Sequence, residues 1–139
     1  MTRNVLLLGL ALLFCLGPGT ASARCLRFEP ATVTLTGTLS ERVMPGPPNY
    51  YHIARGDIPE KVLFLELDEP ICVTGDPMLL RNTNTIAGIE EVQVRIDRSW
   101  RRSLIGKRTR ATGSLFTAHS LAHRTPVVLT AIGMRESDD

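Results

Sequence analysis

"TVTLTGTL" (Thr32–Leu39) sets threonine against a mostly apolar partner at every second position, the pattern of a strand with one buried face. A glycine stands inside it. Further along, "RATGSL" (Arg110–Leu115) repeats the same Thr-Gly-(Thr/Ser)-Leu core. Glycine within a strand marks a bulge or a tight bend, and a small closed barrel must coil its longer strands sharply. Gly37 and Gly113 are expected to be those bends.

The rest of the chain extends this pattern. "KVLFLELD" (Lys61–Asp68) reads as a second strand, continuing through Pro70 to Cys72 and Val73. "EVQVRI" (Glu91–Ile96) reads as a third, with Val92, Val94 and Ile96 on one face. Gly75–Gly88 between them reads as a long connection. Ser99 as a cap, Trp100 and Leu104 four apart, and Gly106 at the stop predict a short helix over 99–105. Lys107–Phe116 and Pro126–Ile132 are the fourth and fifth strands. The order β-β-β-α-β-β is that of a mainly β, five-stranded OB-like Greek-key barrel with one short helix between strands 3 and 4. A plain β-sandwich is the alternative.

The first residues read as an export leader. Arg3 supplies a positive start, Val5–Leu16 is apolar, Gly17-Pro18-Gly19 breaks the run, and Ala21-Ser22-Ala23 suits an export peptidase. Cleavage is expected after Ala23, giving a leader over 1–23 and a single barrel domain over 24–139. The apolar run is well short of the roughly 20 residues that span a bilayer as a helix, so no membrane span is expected after cleavage. The destination is periplasmic or secreted, in a bacterium. Removing the leader removes Cys15 and leaves Cys25 and Cys72, which in an oxidising compartment are expected to form a disulfide.

Charge excludes one class of function. The 16 Lys+Arg against 14 Asp+Glu give +2, and loss of Arg3 lowers this further, so the broad basic field of a nucleic-acid binder is missing. The basic run from Arg98 to Arg110 reads as a solvated face, and Glu136–Asp139 as a frayed end.

Candidate site residues fall in two segments. In an OB-type barrel the loop between strands 1 and 2 and the loop between strands 4 and 5 flank the usual binding face. Here these are Pro45–Asp57, with Tyr50, Tyr51, His52 and Asp57, and Thr117–Thr125, with His119, Ser120 and His123. Three readings compete. His119 and His123, four apart, with His52 or Asp57 as a further ligand, could hold zinc or copper, in a metal-binding protein or a metal-dependent hydrolase. That reading lacks a metallopeptidase glutamate and a cysteine pair. Ser120, a histidine and Asp57 are the residue types of a nucleophile, base and orienter, but no Gly-x-Ser-x-Gly turn is present. Glu66, Asp68 and Glu69 are more simply strand-face and strand-end charges than paired catalytic carboxylates. The leading expectation is therefore a non-catalytic binding module without a cofactor. Its site is Tyr50, His52, Asp57, His119 and His123, and its partner an envelope protein, peptide or glycan.

"PGPPNYYHIARGD" (Pro45–Asp57), "LDEPICV" (Leu67–Val73) and "LIGKRTRATGSLFTAHSLAHRTPVVL" (Leu104–Leu129), in that order, resemble an exported bacterial family known only as a domain of unknown function, numbered 4431. The shared features are Gly46-Pro47-Pro48-Asn49-Tyr50 and a histidine-rich stretch before Thr125-Pro126-Val127. The chain departs from the pattern at Arg124, where family members tend to add histidine, which thins any metal site. The resemblance implies an envelope location and an OB-like barrel. It implies no activity.

Overall fold

The computed structural model describes residues 24–138; the expected leader and Asp139 lie outside them. Six strands form one sheet: β1 (Leu26–Arg27), β2 (Val33–Pro45), β3 (Pro59–Thr74), β4 (Ile86–Ile96), β5 (Arg108–Thr117) and β6 (Val127–Glu136). The hydrogen-bonded order is β1-β3-β2-β5-β6-β4, and a further β3–β4 pairing closes the last five strands into a ring. β4 and β6 run parallel and the other pairs within the ring are antiparallel. This is the five-stranded OB-type barrel read from the sequence.

Both glycines sit where the barrel turns. β2 pairs with β5 through Val33–Thr38 and with β3 through Gly37–Pro45, so Gly37 and Thr38 belong to both ladders. A Cβ on Gly37 would lie 2.0 Å from the Glu66 carbonyl oxygen. Gly113 sits at the register shift between β5 and β6, and a Cβ there would lie 2.0 Å from the Thr130 carbonyl oxygen. Only glycine lets these backbones approach so closely.

Alternation delivers the core. Leu35, Leu39, Leu65, Val92, Leu115 and Leu129 point inward and are buried. A second buried stripe lies on the outer surface: Phe64 pairs with Gln93, Gln93 with Val128, and Val128 with Phe116. Each is adjacent in sequence to an inward residue, so each faces outward. The Arg42 guanidinium covers the Phe64 ring at 3.6 Å and pairs with Glu91.

Four expectations need correction. The helix over 99–105 is a 3-10 turn, Arg102–Leu104, whose first turn has no side-chain cap; Leu104 is buried, and Trp100 packs on the core from an irregular segment. Ile105 caps the turn and Gly106, at φ +82°, follows it. The first strand runs on through Arg42 and Val43 to Pro45, and the third begins at Ile86, inside the expected connection. Glu136 is no frayed end: it pairs with Thr109 and its carboxylate accepts from Lys107 Nζ at 2.9 Å. β1 is additional. It lies parallel to β3, tied there by the Cys25–Cys72 disulfide, whose Cα atoms are 4.6 Å apart. Among the described residues no helix is long and apolar enough to cross a membrane.

Candidate functional site

The β2–β3 loop is built around Asp57. This residue is buried, and its carboxylate accepts backbone N–H bonds from Asn49 (2.9 Å), Tyr51 (2.8 Å) and His52 (2.8 Å). The His52 amide first, with those of Tyr51 and Asn49, stabilises the anion against the cost of burial and holds its pKa at about 2. Both carboxylate oxygens are thereby committed to the loop itself. At the loop's start Gly46 N–H donates to Ile58 O at 2.7 Å and Tyr50 N–H to Gly46 O at 2.9 Å. Tyr50 adopts φ +64°, a conformation a bulky residue keeps only where its surroundings enforce it.

The β5–β6 loop folds back over the outer stripe. Its ends close through Ala118 N–H donating to Pro126 O at 2.9 Å. His119 and His123 stand edge-on to one another with centroids 4.5 Å apart, and their rings lie 5.4 and 5.0 Å from Phe116. Each uses Nδ1 on the backbone. His119 Nδ1–H donates to Thr117 O at 3.1 Å, which leaves its Nε2 to accept from Arg81 at 3.4 Å. His123 Nδ1 accepts the His119 N–H at 3.1 Å, so that atom is unprotonated. Burial first, then the neighbouring His119 and Arg95, lowers the His123 pKa below its ordinary value. Ser120 contributes its carbonyl, which accepts the His123 N–H at 3.1 Å.

The two loops meet through Arg124. Its side chain is only 7% exposed; Nη2 donates to Pro45 O at 2.5 Å and pairs with Glu60 at 3.2 Å. Its guanidinium stands 5.0 Å from the Tyr50 ring. Gln93 holds the same segment from below: Oε1 accepts the Arg124 N–H at 2.6 Å, Nε2 donates to Ala122 O at 3.2 Å, and the Gln93 N–H donates to Thr125 Oγ1 at 2.8 Å. Arg124 and Gln93 are the residues sequence reasoning passed over. Gln93 lies off the Val92, Val94, Ile96 face of its strand, and Arg124 enters only where the chain departs from the histidine-rich pattern.

Tyr50 is thus beside the histidine loop through Arg124, while Asp57 and the His52 amide are engaged within their own loop. Ser120 and Asp57 are not joined into a relay: the Asp57 carboxylate accepts from three backbone amides of its own loop, and among the described residues no hydrogen bond links it to a histidine side chain or to Ser120. Among the described residues no three His, Cys, Asp or Glu side chains are grouped to hold a metal ion.

The segment carrying Gln93, both histidines and Arg124 has counterparts elsewhere. Residues 91–132 match the family described as Domain of unknown function (DUF4431). The match runs from β4 to the middle of β6 and so takes in Gly113 and the whole β5–β6 loop. No curated protein and no solved structure matches the chain.

Proposed function

We propose that the protein is an exported, non-catalytic binding module that holds an envelope protein or peptide on the rim formed by loops 45–57 and 117–125. The observation carrying this reading is the Arg124 bridge from the β5–β6 loop to Pro45, Tyr50 and Glu60. It makes one preorganised rim from two loops far apart in the chain, and preorganisation lowers the ordering cost of association. The rim sets large apolar side chains in solvent on both sides, with Tyr51 67% and Leu121 58% exposed. Aliphatic and aromatic side chains around a polar frame suit a polypeptide, and aromatic ones also suit a glycan. Export is supported by the leader pattern and by the disulfide, a bond that persists in oxidising compartments.

Photo-cross-linking side chains placed separately at Tyr51, Leu121 and Ile132 in the full chain test this in living cells. The expected result is one discrete protein adduct shared by the first two positions and missing at Ile132, on the flank of the barrel. The same adducts at all three positions, or none at the rim, overturn the reading. Fractionation of those cells locates the chain, and retention in the cytoplasm overturns export.

A further inference from the structure

The connection between β3 and β4 is a closed frame whose polar groups turn inward. Asp76 N–H donates to Asn82 O at 2.9 Å, Leu79 N–H to Asp76 O at 3.1 Å, and Met78 N–H to the Asp76 carboxylate at 2.9 Å. Gly75 N–H donates to Thr85 Oγ1 at 3.0 Å. Asn82 is buried at φ +61°, and its Oδ1 accepts the Thr117 N–H at 2.7 Å, which fastens the base of the frame to the end of β5. Held up by these bonds are three consecutive apolar side chains: Met78 is 89% exposed, Leu79 41% and Leu80 104%. A soluble chain that only needed a connection here would carry polar residues, or fold these ones down.

We propose that the Pro77–Leu80 apex is a membrane-surface anchor that inserts Met78 and Leu80 among lipid headgroups and upper acyl chains. Size argues for lipid over protein. Leu79 turns partly toward a neighbouring groove, and Met78 and Leu80, the two side chains standing fully in solvent, offer a few hundred Å² at most, against about 800 Å² per partner in a standard stable interface. A bilayer surface needs no complementary shape and accepts side chains of this kind to a shallow depth. The charges near the apex balance. Arg81 follows the apex in the chain, Arg27 and Glu29 share a groove with Leu79, and Asp76 lies at the frame's base. Attachment therefore rests on apolar insertion, and it is reversible and nearly independent of salt. This inference goes beyond the rim and uses the export reading only to say which membranes the anchor meets.

The test is co-sedimentation of the leader-free chain with vesicles of phosphatidylethanolamine and phosphatidylglycerol, and with vesicles of phosphatidylcholine alone. Binding to both, little changed by salt, is expected. The double variant M78S/L80S should weaken it by roughly tenfold or more for each side chain withdrawn, and Ile132→Ser should leave it unchanged. In Leu80→Trp, the added fluorescence should shift to the blue with vesicles and be quenched by brominated acyl chains. No binding by the wild-type chain, binding kept by M78S/L80S, or a wild-type dimer that M78S/L80S dissociates in the absence of lipid overturns the proposal. Because the rim cross-links are read at Tyr51 and Leu121, failure of one reading leaves the other standing.

Discussion

Replacing Arg124 with methionine keeps the length and apolar stem of the side chain and removes its donors and charge. The Pro45 carbonyl then loses its partner and Glu60 its counter-ion, and Glu60 is exposed enough for water to take over that role. The expected cost is about 2 kcal/mol of unfolding free energy, set mainly by the stranded carbonyl, read as a lower urea midpoint at unchanged slope. Amide exchange should speed up in loop 45–57 as well as around residue 124; acceleration confined to the mutated loop would show that the bridge does not couple the two. His123 gives a second, pH-dependent expectation. Its pKa is lowered in the folded protein, so the unfolded chain takes up the proton first; stability is complete above about pH 6.5 and declines as pH falls below that value. Protonation at Nδ1 also removes the acceptor of the His119 N–H. That amide should exchange faster at pH 5 than its intrinsic rate predicts, and His123→Phe should flatten the stability profile between pH 7 and pH 5.

At the scale of elements, the two Thr-Gly motifs fix where strands change partners. Gly37→Ala and Gly113→Ala each place a methyl group 2.0 Å from a backbone oxygen that no rotamer change can move. Each should cost about 3 kcal/mol, at the upper end of ordinary overpacking, measured by thermal unfolding; a cost below 1 kcal/mol would mean that the strands separate freely. These glycines were legible in the sequence because the signal is local: Thr32–Leu39 alternates cleanly, and a glycine within such a run has few other uses. The short helix was misread for the same reason, since Trp100 and Leu104 are apolar because the barrel end buries them, and four-residue spacing does not distinguish that from a helical face. β1 left no pattern, because two residues carry no period. The candidate site was legible as loops and not as bonds. Tyr50, His52, Asp57, His119 and His123 stand out by type, whereas the role of Arg124 depends on a contact with Pro45 that no local reading supplies.

For the whole molecule, the Cys25–Cys72 bond ties the first described residues to the far end of β3, across 47 positions of sequence. In the chain-entropy model a loop of this size is worth roughly 4 kcal/mol. C25S/C72S should therefore unfold at a clearly lower temperature, and the wild-type chain in reducing buffer should match the variant; equal stability of oxidised and reduced protein would mean the barrel stands without the tie. The Arg124 bridge constrains variation rather than stability alone. A guanidinium that measures out from the β5–β6 loop to the carbonyl of Pro45 and the ring of Tyr50 allows neither segment to change length by itself. Insertions ahead of Tyr50 should be tolerated in diversified libraries only together with substitutions at position 124, so that the two loops are inherited as a matched pair.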